Sequence, residues 1–381
     1  MKFSGVPLII LSFATVAANI APSPAQGEDT DQLMRSIRTA WSNRQEKILT
    51  GHFEWSESCF YPKGSMSKSM IDIPHGTEVP KTDTSLTAIC TMTFDKSRMH
   101  HSVEGSIWSS ITLGHVKQKE DAVFDGISFR KWINVENAEY TTGIIPRDKY
   151  MPNVTHLKNL ALTLHFRPLD SFYGFNDLDN CKVDAKRVPF RGVDCVRLRR
   201  TRELVEDIWY LDPNRNFAII RAEQSIGIHT ISFYDVEYTT INSVLVPSKW
   251  KGEALYKNGD MKFSFESNIT ASDVNSKIDT EKLSQAFPAG TVVFDATKPD
   301  TDNKHSYIAK QGGGKRYISH EERARQVPYR VLLANDGSST GPKSLPSRHP
   351  FLLSLLISAT VLVIMLFIKG NKRATHLPMR T

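Results

Sequence analysis

Residues 204–270 read LVEDIWYLDPNRNFAIIRAEQSIGIHTISFYDVEYTTINSVLVPSKWKGEALYKNGDMKFSFESNIT. Runs rich in aromatic and β-branched residues alternate with polar ones, and each run ends at a turn signal. Asp212-Pro213-Asn214, Gly227 and Lys257-Asn258-Gly259-Asp260 supply the turns. Adding the residues from Cys181 onward, with Arg191-Gly192 as a further turn, gives strand-like runs near 181–189, 193–200, 204–211, 217–224, 228–239, 244–256 and 260–270. Turns this short join only antiparallel neighbours, because a parallel crossover needs a dozen or more residues. The expected product is a meander of about seven strands, which twist curls into an open or closed barrel. A curled sheet must cover its concave face.

Two segments upstream can provide that cover. From Asp29 to Ile48 the positions Leu33, Ile37, Ala40/Trp41 and Ile48 recur at helical spacing among charged residues, which predicts an amphipathic helix. Residues 152–166, PNVTHLKNLALTLHF, predict a second helix that stops before Pro168. Between them HFEWSESCFY, LTAICTMTF and AVFDGISFRKWINV read as further strands, with Asp125-Gly126 as a hairpin turn and residues 62–84 as a long polar loop. Downstream, FPAGTVVFD and SYIAKQGGGKRYIS predict a strand and a hairpin turning at Gly312–Gly314, followed by a short charged helix at EERARQ. The fold class expected is mainly β with two or more helices (α+β): a curled antiparallel meander forming an unclosed half-barrel covered by helices, plus a C-terminal transmembrane helix.

The ends of the chain differ from its middle. Residues 1–25 have one Lys, an apolar stretch from about Val6 to Ala18 and small residues at Ser23-Pro24-Ala25, the layout of a cleaved secretory signal. Residues 351–368, FLLSLLISATVLVIMLFI, carry no charge and span roughly 27 Å as a helix, enough for a bilayer core. Lys369, Lys372 and Arg373 follow, which places the C-terminus in the cytoplasm and the large domain outside. The expected organisation is a signal peptide at 1–25, a half-barrel domain at 26–286, a small hairpin extension at 287–333, a flexible Gly/Ser/Pro tether at 334–350, a transmembrane helix at 351–368 and a basic cytoplasmic tail at 369–381. The location expected is a bacterial cell membrane, single-pass, with the large domain extracytoplasmic. A eukaryotic surface protein would have the same two ends.

Charge and motifs exclude several functions. The two terminal segments hold Lys2, Lys369, Lys372, Arg373 and Arg380 and no acid, so without those five charges the net falls from +7 to +2. No basic domain remains for nucleic acid. H-E-x-x-H is missing from the sequence, the G-x-S-x-G spacing at Gly337–Gly341 falls in the Gly/Ser/Pro tether and not at a strand-to-helix turn, and Gly312-Gly313-Gly314-Lys315 lacks the spacing and the following Ser/Thr of a phosphate loop. His100-His101 on a strand would point to opposite faces, and Asp177 and Asp179 begin no full calcium loop. No catalytic residue, metal or cofactor is therefore expected. Asn153 and Asn268 sit in glycosylation sequons, which matter only in a eukaryote.

Two residue sets remain. Four cysteines on an exported chain point to disulfides, with three pairings open. Cys181 and Cys195 flank the turn VPFRG and are expected to pair, which leaves Cys59 with Cys90. Among the six tryptophans, Trp55, Trp108, Trp132, Trp209 and Trp250 fall in strands, and together they could line a hollow for an acyl chain.

The order of elements resembles a known superfamily. TGHFEWSES, AVFDGISFRKW, IWYLDPNRNFAIIRAE, VLVPSKW and AFPAGTVVFD follow one another as in the periplasmic lipoprotein-sorting carrier LolA and its relatives LolB, LppX and RseB. The likeness runs from about 29 to 294, with Asp207 to Phe217 its most telling segment. It implies an unclosed barrel with helices across its mouth and a hollow that holds lipid or the acyl groups of lipoproteins. The shuttling carriers are soluble, whereas 351–368 would tether this chain. The expected activity is non-catalytic binding of an apolar ligand, lipid or lipidated protein. The alternative is a single-pass protein-interaction or sensor ectodomain with a filled core and no lipid, its protein partner unknown.

Overall fold

In the computed structural model the described residues are 29–66, 78–109, 114–147, 156–169, 178–202 and 204–334. The signal segment, the tether beyond Ala334, the segment 351–368, the cytoplasmic tail, Asn153, Asp177 and much of the 62–84 loop lie outside them. Among the described residues no helix is long and apolar enough to cross a membrane.

Helix α1, Thr30–Lys47, opens at Asp29, whose carboxylate accepts from the amides of Asp31 and Gln32 and satisfies two donors that the first turn leaves unpaired. Strands β1 (Thr50–Tyr61), β2 (Thr84–Asp95), β3 (Arg98–Ser109), β4 (Gly114–Phe124), β5 (Phe129–Val135) and β6 (Thr142–Ile145) form a first meander. Helix α2 is described over His156–Phe166. A second meander follows: β7 (Cys181–Val183), β8 (Val188–Phe190), β9 (Val193–Arg202), β10 (Val205–Asp212), β11 (Ala218–Ile226), β12 (His229–Ile241), β13 (Val244–Leu255) and β14 (Met261–Val274). The expected run at 181–189 is two short strands that both pair with β9.

The meanders join where β1 pairs antiparallel with β14, from Gly51 opposite Val274 to Phe60 opposite Ser264. A C-terminal piece extends the other side. Strand β15 (Val292–Asp295) pairs in parallel with β6, then β16 (Ser306–Ala309) and β17 (Lys315–Ile318) continue as the expected hairpin. Short helices α3 (His320–Ala324) and α4 (Tyr329–Ala334) end the described chain. The strand order across the sheet is β17-β16-β15-β6-β5-β4-β3-β2-β1-β14-β13-β12-β11-β10-β9-β7. No pairing closes it among the described residues, so the protein is mainly β, one open sheet with few helices.

One hydrophobic cluster takes side chains from β5 at one side of this order to β9 at the other, and from both α1 and α2. Laid flat, those strands would extend roughly 48 Å at about 4.8 Å per strand. Two helices, each about 10 Å across, could not cover that width. The sheet must therefore curl around them, and the residues facing the helices define its inner face.

Helix α1 docks through Ile37 and Trp41, both fully buried. The Trp41 indole Nε1 donates to Phe217 O at 2.9 Å. That carbonyl belongs to the Asp-Pro turn between β10 and β11, where Asp212 accepts from the Asn214 amide and Asn216 adopts a left-handed conformation. The segment Asp207 to Phe217 is thus a hairpin whose turn receives the first helix. Loss of a side chain like that of Trp41 costs about 3–5 kcal/mol.

Candidate functional site

Alternation along β1 sends Phe53, Trp55, Glu57 and Cys59 to the inner face, all buried. Trp55 stands 5.6 Å from Trp250 and 5.7 Å from His101, ring centre to ring centre. Farther along, Phe166 at the end of α2 stacks on Phe53 at 4.8 Å and tilts against Phe94 at 5.6 Å. Trp209, Leu211, Val236 and Val246 complete an apolar bed under the helices.

Beyond this bed the same face turns polar. Glu57 lies opposite Ser267 on β14, and Ser267 lies opposite Trp250 on β13. Tyr234 lies opposite Gly252. A Cβ at Gly252 would fall 2.8 Å from the Tyr234 Cβ and 2.9 Å from the Phe265 ring, so glycine is what admits both neighbours. The Glu57 carboxyl is 2% exposed and accepts from the Cys59 thiol at 3.3 Å. Trp55 Nε1, Tyr234 Oη and Ser267 Oγ are buried in this patch without a hydrogen-bond partner. Burial first, then the neighbouring Tyr238 and Asp207, pushes the Tyr234 hydroxyl well above its ordinary range, so it stays a protonated donor.

Ion pairs flank the patch on both sides, also on the inner face. Lys131 meets Glu120 at 2.8 Å, with both side chains 7% exposed. Arg200 meets Asp207 at 3.0 Å, and Asp207 also accepts from Gln224, which accepts in turn from Ser232. Each cation is neutralised by its own acid.

The helices are pinned at the opposite end. Arg44 of α1 reaches His165 of α2 at 2.9 Å, and His165 Nε2 meets Leu245 O at 2.7 Å. Arg167, just past α2, donates to the carbonyls of Lys96, Gln45 and Leu49. Beside it, between Met92, Met99, Thr163 and Phe166, lies a cavity of about 10 Å³, barely room for one water.

The expected site residues divide. Trp55, Trp209 and Trp250 belong to the inner-face cluster. Trp108 stands at its rim, 5.9 Å from Tyr61, whose other neighbour is Phe263. Trp132 does not face the hollow. It sits on the outer face, edge-on to Phe287 of the C-terminal piece at 5.7 Å, because it alternates with the inward Lys131. The expected disulfides are also corrected: all four cysteines are buried thiols in no disulfide. On adjacent strands Cys59 faces Leu86 while Cys90 faces Trp55, four positions out of register. Cys181 faces Arg200, five positions from Cys195. At about 3.4 Å per residue neither pair comes within bonding reach. Among the described residues no three His, Cys, Asp or Glu side chains group so as to hold a metal.

No protein-family model matches the chain, and no curated protein sequence matches it. Solved structures do. One is a DUF1329 family protein from Desulfovibrio piger, 8% identical, covering 67% of this chain and 96% of that one, with a TM-score of 0.42. Another is MucB in complex with MucA(peri), 10% identical, covering 68% of this chain and 60% of that one, with a TM-score of 0.18. These are likenesses at low overlap, and the site rests on its own geometry.

Proposed function

We propose that this chain is a non-catalytic binding protein of the bacterial cell envelope, anchored by residues 351–368, that takes an apolar or acylated ligand between its curled sheet and the two helices. The observation that carries this reading is the inner-face bed of Trp55, Trp209 and Trp250, closed by helices rather than by a second sheet. Aromatic and aliphatic walls with a few placed polar groups are what a ligand site for an acyl chain requires. Each buried methylene would contribute about 0.8 kcal/mol. The LolA-like order of elements in the sequence agrees with it.

A second reading, a sensor or protein-binding ectodomain with a filled core, is favoured by one observation. The cavity beside Arg167 holds only about 10 Å³, which leaves no room for an acyl chain at that end of the helices. Native mass spectrometry of the full chain released from detergent, with lipid extraction alongside, separates the two. One bound lipid per chain supports the first. A mass unchanged after challenge with phospholipid and diacylated lipopeptide sinks it and leaves the filled-core reading.

A further inference from the structure

Buried polar atoms without partners are costly, about 1–3 kcal/mol each, and native proteins keep few of them. Here Trp55 Nε1, Tyr234 Oη and Ser267 Oγ lie on one patch of the inner face. Trp55 and Tyr234 belong to the same core cluster, and Ser267 is fully buried between Glu57 and Trp250 in the strand register. The patch runs diagonally over β1, β14, β13 and β12, roughly 14 Å across the strands at ordinary spacing and four residues along them, from the row of Trp55 to that of Cys59 and Tyr234. The indole N–H of Trp55 can only donate, and the two hydroxyls can donate beside it. A ligand that completes the patch must therefore offer acceptors, such as carbonyl or ether oxygens, next to its apolar part.

The same surroundings decide the charge of that ligand. An anionic head needs an unneutralised cation or a cluster of donors free of acids. Lys131 and Arg200, the inner-face cations on either side, are already paired with Glu120 and Asp207. The one acid within the patch is Glu57, placed directly across from Ser267. A carboxylate or phosphate brought to these donors would meet a buried carboxyl group. An uncharged ester adds no second acid beside it, and its glycerol hydroxyls can donate to Glu57.

We infer that Trp55, Tyr234 and Ser267 form a recognition site for the uncharged ester head of an acyl lipid, and that Glu57 turns away the free fatty acid. This rests on the reading of the inner face as an acyl-ligand site and adds which class of lipid it takes.

The test uses the full chain in detergent and two probes of equal chain length, 1-monopalmitoylglycerol and palmitate, with affinities from isothermal titration. The wild type should bind the ester at least tenfold more tightly. Tyr234→Phe and Ser267→Ala keep shape and delete one donor each, so each should weaken ester binding about fivefold. Neither should lower the melting temperature of the ligand-free protein, because each removes a buried unpaired group. Glu57→Gln should raise affinity for palmitate more than for the ester. Palmitate binding as tightly as the ester, or both donor deletions leaving ester affinity unchanged, would overturn the inference while the acyl-site reading stands. Failure of both probes to bind would overturn that reading, and the inference with it.

Discussion

His165 accepts from the Arg44 guanidinium through Nδ1 while Nε2 donates to Leu245 O, an arrangement only the neutral ring can make. Burial, then the charge of Arg44, holds its pKa well below the usual 6.5. Below pH 6.5 the unfolded chain takes up a proton that the folded one refuses. The stability from this group is whole above about pH 6.5 and is lost as pH falls toward the folded pKa, by up to about 1.4 kcal/mol per pH unit. Urea unfolding between pH 7.5 and pH 5 should show that loss, and His165→Gln should flatten it. An unchanged slope in the variant would place the acid sensitivity elsewhere. Cys195 is pushed up to about 11 by burial and by Asp212 and Asp194, and all four cysteines are buried. A thiol reagent should find none of them in the native chain and four after unfolding, whereas two disulfides would leave none in either state. An even count of cysteines predicts disulfides, but bonding distance depends on strand register, which spacing in the chain does not contain. The polar patch did leave a local trace. Glu57 falls in phase with Phe53, Trp55 and Cys59 on β1, and a charge in phase with buried positions is a signal that tryptophan counting passes over.

At the scale of elements, short turns made the second meander readable nearly strand by strand, because each turn residue acts on its immediate neighbours. The parallel contact of β15 with β6 joins segments 150 residues apart, and nothing local announces it. Helix α2 shows the same division. Its period was readable, but its fastening was not. Arg167 ties the end of α2 to the end of α1 through Gln45 O, to Leu49 O beyond it, and to the β2–β3 turn through Lys96 O. Its guanidinium also lies 4.4 Å over the Phe94 ring. A lysine has one nitrogen where these acceptors need a planar fork. Arg167→Lys should therefore destabilise the protein by about 2–3 kcal/mol through orphaned buried carbonyls. The loss should concentrate in α2, read as faster amide exchange there than in β12 and β13. Uniform acceleration across the sheet would mean that α2 has no separate hold.

For the whole molecule, the question is whether residues 287–334 form an appendage or part of the wall. The sequence reads as a half-barrel ending at 286 and a small extension after it. Physical contact argues for one continuous structure. Val292–Asp295 pairs with all four residues of β6, whose other pairing among the described residues is of Thr142, Gly143 and Ile144 with β5. Phe287 covers Trp132, which is 3% exposed, and sits so close to Gly143 that a Cβ there would fall 2.9 Å from its ring. Removing the piece would bare Trp132 and leave β6 as an unpaired edge, which invites association with other chains. A chain ended after residue 286 should therefore be less stable than one ended after residue 334 by at least about 3 kcal/mol, the scale of one lost aromatic contact in a core. The comparison holds the 351–368 segment absent from both, so membrane insertion cannot account for a difference. Urea midpoints read the stability, and light scattering reads the exposed edge. Equal midpoints and clean monomers from both chains would mean that the inner-face site stands on the two meanders alone, with the C-terminal strands as an addition to a finished fold.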